Sequence, residues 1–195
     1  MVPTTDHALS LRAVSEALLN GSTDDAKHLL LTQYPFSGQP AQKRNYSENQ
    51  KTRIFARDGF IDRYTGKRLV FGGILRLFSF LMPIEFPYHK NGKFELCHLA
   101  YWQLLPTLDH VLPVTRGGLD QAENWITTSM MSNAAKANWT VEELNWKILP
   151  PGNLTEWDGL MGTFIALVES DASYIQQNYI RAYYRIAKTV LSEHY

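Results

Sequence analysis

Four polar residues between positions 109 and 133 have the types and spacing that metal-assisted hydrolysis needs. Asp109 and His110 are adjacent, and in an extended strand their side chains point to opposite faces. One side chain can therefore hold a metal while the other faces a substrate. Asn124 begins a second strand, and Asn133 follows on a predicted helix. A hairpin packed against that helix would bring Asp109 and Asn133 together.

The side chains of these residues favour hydrolysis of a phosphodiester bond. Oxygen ligands from Asp and Asn suit a hard cation such as Mg²⁺ or Mn²⁺. A neutral histidine near such an ion can take a proton from water. The resulting hydroxide attacks phosphorus while the ion neutralises charge on the leaving oxygen. His110 is the residue expected to make the nucleophile.

This stretch resembles the HNH nuclease family. The segment DHVLPVTRGG, residues 109–118, matches the family's Asp-His pair and Gly-Gly turn. The segment ENWI matches the Asn block, with Trp125 in place of the usual Leu, and SNAAKANWT matches the helix block. The resemblance covers about residues 53–140 and implies a ββα-metal fold. The flanking helices lie outside it.

The resemblance also implies a role for each matching residue. Asp109 and Asn133 would be the ligands of one divalent cation, Mg²⁺ or Mn²⁺, and the Asn ligand argues against Zn²⁺ as the working ion. His110 would be the general base. Asn124 would brace the loop and orient the His110 ring through backbone contacts. The expected reaction cuts DNA to leave 5′-phosphate and 3′-hydroxyl ends.

The chain is neutral overall, but its basic residues are concentrated before the motif. Residues 43–68 contain eight Lys or Arg and three acidic residues, whereas residues 140–195 contain four basic and seven acidic residues. The basic stretch could therefore face the DNA backbone. From charge and from the motif, the expected contacts to double-stranded DNA are Arg53, Arg57, Arg63, Arg116 and Lys136.

Many HNH proteins carry a zinc ribbon of two Cys pairs, and the corresponding positions of this chain have no Cys. They are occupied by Asp62, Thr65, Ser129 and Ser132, and the single cysteine is Cys97. We therefore expect no structural zinc. Its stabilising contribution should come from apolar contacts, for which the candidates are Tyr64, Trp102, Trp125 and residues 71–94.

The elements around the motif predict a mostly helical α+β protein in which a ββα-metal core is flanked by N- and C-terminal helices. We divide it into an N-terminal helical region (1–45), a nuclease core (46–145) with an insertion at 71–94, and a C-terminal helical region (146–195), all in one compact unit. Periodicity and turn residues predict helices at 6–20, 23–33 (capped by Thr23), 46–57, 130–137 and from Thr140, and strands at 107–112 and 124–128.

Several functions remain open at this stage. Helices on both sides of a small nuclease fit bacterial restriction or phage defence. A homing or phage-type nicking enzyme, a toxin nuclease and a DNA-binding module without catalysis are the alternatives. We expect a cytoplasmic protein with no membrane span, because one lone thiol suits a reducing compartment and the longest apolar stretch is interrupted. A homodimer is expected if both strands are cut.

Overall fold

The computed structural model describes residues 6–36 and 46–194, which divide between two compact units. The first unit comprises residues 1–43 and the second residues 44–195, where the sequence predicts one unit. About half of the chain is helical and a two-stranded antiparallel sheet is present, so the predicted α+β class is confirmed. Among the described residues, no helix is long and apolar enough to cross a membrane.

Two helices make up the described part of the first unit. They are α1 (His7–Leu19) and α2 (Thr23–Gln33), close to the predicted ranges. The N-cap of α2 is Ser22, because its hydroxyl accepts a hydrogen bond from the backbone N–H of Asp25. The predicted cap at Thr23 is therefore wrong by one residue.

Among the described residues of the second unit, three α-helices precede the hairpin. They are α3 (Glu48–Arg57), α4 (Gly72–Leu81) and α5 (Ala100–Gln103). α3 begins at a capping box, in which the side chains of Ser47 and Gln50 each accept a hydrogen bond from the other residue's backbone N–H. This arrangement fixes the start of the basic helix that the sequence predicts.

The predicted insertion at residues 71–94 contains α4, which lies inside the hydrophobic core. Leu77 is fully buried there. Gly73 permits close packing, because a Cβ at this position would lie 2.4 Å from the ring of Phe71 and 3.0 Å from Cβ of Tyr183. The helix is difficult to predict from sequence since it is apolar on most sides and begins with two glycines.

The central element is a hairpin followed directly by a helix: β1 (Pro106–His110), β2 (Trp125–Ser129) and α6 (Met130–Lys136). The strands are antiparallel, with Asp109 opposite Ile126 and His110 opposite Trp125. Both predicted strands are therefore present, with bounds that differ by one or two residues. This hairpin carries most of the predicted site.

Two helices end the chain and cover the core. They are α7 (Met161–Ser170) and α8 (Asn178–Ser192). Phe164 and Val168 of α7 are buried in the same cluster as Ile180 and Val190 of α8. The C-terminal helical region that the sequence predicts is therefore present, and both helices belong to the second unit.

The helix predicted from Thr140 is absent, although its capping contacts form. The backbone N–H of Thr140 donates to the Glu143 carboxylate at 2.8 Å, and the Glu143 N–H donates to the Thr140 hydroxyl at 3.2 Å. The chain then turns away at Asn145, which has a positive φ of 52°. A capping box is therefore present here on a single turn that does not continue into a helix.

Candidate active site

The hairpin fixes Asp109 and His110 side by side at the end of β1. Both residues are only 7% exposed. Because neighbouring residues of a strand face opposite sides of the sheet, each side chain meets a different part of the protein. Asp109 contacts Tyr64 and Lys136, whereas the ring of His110 contacts Asp120. The predicted ligand and the predicted base therefore have separate polar surroundings.

One oxygen of the Asp109 carboxylate meets two donors. The hydroxyl of Tyr64 donates to Oδ2 at 2.5 Å, and Nζ of Lys136 lies 3.0 Å from the same oxygen. Lys136 is fully buried and also donates to the carbonyl of His110 at 2.8 Å. The expected contact between Lys136 and a DNA phosphate does not fit this position, because the ammonium group is enclosed and paired with a carboxylate.

Tyr64 contributes a polar group to this site. The sequence analysis predicts it only as an apolar contact that replaces the structural zinc. Burial raises the pKa of the Tyr64 hydroxyl, and its hydrogen bond to Asp109 raises the pKa further. The hydroxyl therefore stays protonated and remains a donor. The ring packs against Trp146 with 5.2 Å between centroids, which fixes its position.

The ring of His110 is held by Asp120. Nε2 of His110 lies 2.8 Å from Oδ1 of Asp120. Since an ionised carboxylate only accepts hydrogen bonds, this contact assigns the ring proton to Nε2. The indole N–H of Trp125 lies 3.0 Å from Nε2 and 3.2 Å from Oδ1, and in this tautomer the carboxylate accepts it. No described residue forms a hydrogen bond with Nδ1, which is the proton acceptor of the ring in this tautomer.

The environment of Asp120 keeps it ionised. Burial acts to raise the pKa of Asp120, but hydrogen bonds from Tyr46, His110 and Trp125 outweigh burial and lower the pKa. The ring of Tyr46 also packs edge-on against Trp125, with 4.8 Å between centroids. The negative charge of Asp120 lies beside the imidazole, so it can stabilise the positive charge that a general base acquires on taking a proton.

Asp120 and Tyr46 are site residues that the sequence reasoning missed. Asp120 lies in the same loop as the Gly-Gly turn, two residues after Gly118. An acid so near an Asp-His pair was a usable signal. Tyr46 precedes the motif by more than sixty residues, and nothing in its own neighbourhood indicates that it reaches this loop.

Asn124 braces the loop between the strands. Its side-chain oxygen accepts from the backbone N–H of Leu112 at 2.9 Å, and its amide donates to the carbonyls of Leu112 and Leu119, each at 2.9 Å. Gly118 lies so close that an added Cβ would be 1.9 Å from the Leu112 carbonyl. The loop contacts agree with the expected role of Asn124, but the described contacts of the His110 ring itself are with Asp120 and Trp125 rather than with the backbone.

Asn133 on α6 faces β1. Its amide donates to the carbonyl of Leu108 at 3.2 Å, and no described residue donates to its Oδ1. Oδ1 of Asp109 likewise has no described hydrogen bond, since both donors to that carboxylate meet Oδ2. Each predicted ligand therefore has one oxygen that accepts no described hydrogen bond. Oxygen ligands are those that Mg²⁺ and Mn²⁺ prefer.

A divalent ion held by only these two oxygens would keep several waters. The described residues contain no group of three or more His, Cys, Asp or Glu placed to hold an ion. Mg²⁺ commonly binds through one or two protein oxygens, with water and substrate phosphate completing its shell. The buried charge of Lys136 next to Asp109 acts against the ion, because it already neutralises the carboxylate.

The arginines expected to contact DNA all have carboxylate partners within the protein. Arg53 forms two hydrogen bonds with Glu193, at 2.9 and 2.6 Å, and the pKa of its guanidinium is raised by this contact. Arg116 pairs with Glu143 at 2.6 Å. Lys43 and Arg44, which belong to the same basic stretch, lie outside the described residues. The excess of basic residues in the sequence therefore overstates the charge that faces solvent.

Arg57 and Arg63 hold the hairpin in place through Asp58. Both guanidinium groups lie 3.0 Å from Oδ1 of this buried carboxylate, whose other oxygen accepts from the backbone N–H of Thr127 at 2.8 Å. Arg57 also donates to the carbonyl of Trp125 at 2.6 Å. These contacts give both arginines a structural role at the position where the sequence predicts contacts to DNA.

All four positions that correspond to zinc-ribbon cysteines meet in one hydrogen-bonded cluster. The buried Asp62 carboxylate accepts from the backbone N–H groups of Thr65 and Ser129, at 3.2 and 3.1 Å, and from the hydroxyl of Ser132 at 2.8 Å. Ser129 and Ser132 are joined at 3.0 Å. The sequence predicts apolar contacts here, whereas the structure has a carboxylate surrounded by donors.

The chain matches no family model, no curated protein and no solved structure. The likeness to HNH nucleases therefore rests on the motif and on the contacts around it. The loop contacts of Asn124 and the free Nδ1 of His110 agree with a hydrolytic site. The buried pair of Lys136 and Asp109 departs from the expectation.

Proposed function

We propose that this protein is a metal-dependent HNH endonuclease that hydrolyses phosphodiester bonds of double-stranded DNA, with β1, β2 and α6 as its ββα-metal core. The contact between Asp120 and His110 carries the proposal. It holds the ring in one orientation, keeps a proton on Nε2 and leaves Nδ1 as an acceptor. A general base in water-dependent hydrolysis needs these properties.

The proposed reaction begins at Nδ1 of His110. This nitrogen takes a proton from a water molecule as the water oxygen forms a bond to phosphorus. The bond between phosphorus and the 3′ oxygen breaks, and that oxygen takes a proton from solvent. The products carry 5′-phosphate and 3′-hydroxyl ends. Asp120 stabilises the imidazolium formed in the first step, because its negative charge lies 2.8 Å from the ring.

Asp109 and Asn133 would hold one divalent cation, Mg²⁺ or Mn²⁺. When bound, the ion supplies positive charge to the phosphate and the leaving oxygen. Lys136 and Tyr64 hold the Asp109 carboxylate in one orientation. Asn124 keeps the loop that carries Asp120 in place, because its amide donates hydrogen bonds to the carbonyls of Leu112 and Leu119 within that loop.

The biological role that we propose is bacterial restriction or phage defence in the cytoplasm, where Cys97 would remain a free thiol. Cutting both strands with one site per chain would require a homodimer. A homing or phage-type nicking enzyme would cut one strand, and a toxin nuclease would cut without sequence preference.

A DNA-binding module without catalysis is a second candidate, and one observation favours it. Lys136 and Tyr64 both engage Oδ2 of Asp109. If these contacts persist when an ion is offered, the carboxylate could not serve fully as a ligand. The two candidates differ in whether DNA is cut, so one assay separates them.

Digestion of a sequenced supercoiled plasmid with Mg²⁺ or Mn²⁺, followed by mapping of the ends, tests the proposal. His110→Ala should cut at least about 100-fold more slowly than the parent, because general-base catalysis contributes about 10²- to 10⁴-fold. His28→Ala is the matched control, since His28 is exposed on α2 in the other unit. Equal rates for His110→Ala and the parent would reject the proposal. DNA binding by the parent without cleavage would favour the second candidate.

A further inference from the structure

Two cavities near α6 share two lining residues, Trp102 and Met130. The first, of about 400 Å³, includes Asn133, Trp102 and Met130 in its wall. The second, of about 320 Å³, is also lined by Trp102 and Met130 and extends to His89 and Lys90. We call this surface the Trp102 groove, defined by these five residues. The two cavities together reach from Asn133, the candidate metal ligand, to the turn that contains Lys90. This turn precedes the short helix at Phe94–Leu96.

The walls of the Trp102 groove contain no carboxylate. Neither cavity is lined by an Asp or Glu, and the second is lined by an exposed lysine, Lys90. Two other cavities differ in this respect, because the one beside the Gly-Gly turn is lined by Glu123 and the one beside α3 by Glu48. Those two cavities also have basic residues in their walls, Arg57 and Arg63 in one and Lys51 in the other, but each of these is paired with a carboxylate of the protein. Of the four cavities, the groove is the one whose basic residue has no such partner among the described residues, which suits a polyanion.

Lys90 is available for an external anion. It forms no ion pair with any described residue, in contrast to the five basic residues that the sequence predicts as DNA contacts. Gly92 donates its backbone N–H to the carbonyl of His89 at 2.9 Å, which closes the turn and presents Lys90 at its tip.

Trp102 provides an aromatic surface between the two cavities. Its ring is half-buried and packs against Phe94, with 5.5 Å between centroids and 62° between planes. One part of the ring is thereby fixed, and the part that lines the groove remains open to a ligand. A fixed aromatic ring beside a cation is the combination on which proteins bind a nucleic acid strand, since the ring stacks on a base and the cation contacts a phosphate.

We propose that the Trp102 groove binds one strand of DNA on one side of the phosphate that is cut. Trp102 stacks on a base or deoxyribose, and Lys90 contacts a backbone phosphate further from the site. The position of the cut phosphate rests on the proposed function, because it is placed next to Asn133. The binding of DNA in the groove rests on the wall chemistry and does not require cleavage.

The test measures binding of a short labelled DNA duplex to the full chain in EDTA, at several salt concentrations, by fluorescence anisotropy. Lys90→Gln should lower the slope of log affinity against log salt by about 0.9, because one phosphate contact is lost. Trp102→Leu should weaken binding by about 5- to 150-fold, the fold-change that corresponds to loss of stacking on one base.

Two matched controls lie outside the groove. Lys147→Gln changes an exposed lysine, and Trp139→Leu changes a tryptophan that is 51% exposed. Both should bind DNA as the parent does. Groove variants that match these controls, or a parent that binds no DNA, would overturn the proposal. Lys90→Gln keeps the test decisive if Trp102→Leu does not fold.

Measuring DNA binding and DNA cleavage on the same proteins distinguishes the groove proposal from the nuclease proposal. A parent that binds DNA through Lys90 and Trp102 but cuts nothing supports the groove and rejects the nuclease. A parent that cuts DNA while both groove variants bind normally rejects the groove and leaves the nuclease standing.

Discussion

The imidazole of His110 and the carboxylate of Asp120 are joined by a hydrogen bond of 2.8 Å, although ten positions separate them in the sequence. The strand β1 fixes the first residue, and the loop braced by Asn124 carries the second. The orientation of the candidate base therefore depends on a residue that lies outside the Asp-His motif. This dependence can be tested apart from cleavage itself.

Asp120→Asn should lower kcat by at least about tenfold with KM nearly unchanged. The amide can present its NH₂ group to the ring, which would favour a proton on Nδ1 and remove the acceptor. Nitrogen–proton correlation spectra of the imidazole should show the ring proton on Nε2 in the parent and a shift towards Nδ1 in the variant. Asp120→Glu should restore part of the rate.

Glu123→Gln is the control for this prediction, since it makes the same chemical change in the same loop at a residue with no described hydrogen bond or ion pair. It should leave both kcat and the spectra unchanged. An Asp120→Asn protein with the parental tautomer and the parental kcat would show that Asp120 does not position His110.

Lys136→Met should destabilise the metal-free protein by about 3–5 kcal/mol, because it leaves the buried Asp109 carboxylate without its cation. If Asp109 binds a divalent ion, Mn²⁺ should recover part of that loss. An ion at 100 times its Kd contributes about 2.7 kcal/mol. The measurement is the free energy of unfolding in urea, with Mn²⁺ and with EDTA.

The control for the buried pair is Lys188→Met, which removes an exposed ion pair with Glu169. Its free energy of unfolding should stay close to that of the parent, because an exposed ion pair is screened by solvent, and Mn²⁺ should not change it. A Lys136→Met protein that is destabilised but gains nothing from Mn²⁺ would argue against Asp109 as a ligand, and would favour the module without catalysis.

Asn124→Ala should loosen the loop between the strands, because three hydrogen bonds to Leu112 and Leu119 are lost together. We expect a cost of about 2 kcal/mol and faster hydrogen exchange at the backbone N–H of Leu112. Asn138→Ala, which loses one contact of 3.4 Å with Thr115, is the control and should leave that exchange rate unchanged. Unaltered protection of Leu112 in Asn124→Ala would contradict the bracing role.

The hairpin was predictable because its signals are local. Alternating residues, the Gly-Gly turn and the spacing from Asp109 to Asn133 lie within one short stretch. The caps were predicted less well, since the cap expected at Thr23 lies one residue earlier, at Ser22. Local signals say where an element starts, but not whether it continues, as the single turn after Thr140 shows.

The roles of the arginines could not be predicted, since the acidic partner of a cation is set by the fold. Arg53 pairs with Glu193, which lies 140 positions later in the chain. Arg63 lies close to Asp58 in sequence, yet its second contact is the distant carbonyl of Leu149. The number of basic residues in a stretch of sequence therefore does not show whether they face DNA or pair with carboxylates of the protein itself.

The Asp62 cluster is the part of the structure where sequence reasoning gave the wrong physical cause. The absence of thiols at Asp62, Ser129 and Ser132 suggested apolar replacement. The observed carboxylate instead accepts hydrogen bonds from the two segments that a zinc ion would join in a ribbon. Charge-assisted hydrogen bonds of this kind are about twice as strong as neutral ones, so they can tie the turn at residues 62–66 to the hairpin.

Asp62→Asn should therefore destabilise the protein by about 1.5–3 kcal/mol at pH 7, since a buried charged acceptor is lost. Burial acts to raise the pKa of Asp62, but donors from Ser129 and Ser132 outweigh burial and hold the pKa below its ordinary value of 3.8. A lowered pKa in the folded state means that the stabilising contribution is complete above 3.8 and is lost as pH falls through the folded pKa. The difference in unfolding free energy between parent and variant should accordingly be constant from pH 7 to about pH 5 and shrink below pH 3.8.

Glu85→Gln, at an exposed residue with no described ion pair, should match the parent throughout. A difference for Asp62→Asn that is absent at pH 7, or that grows as pH falls, would show that this carboxylate does not hold the two segments together.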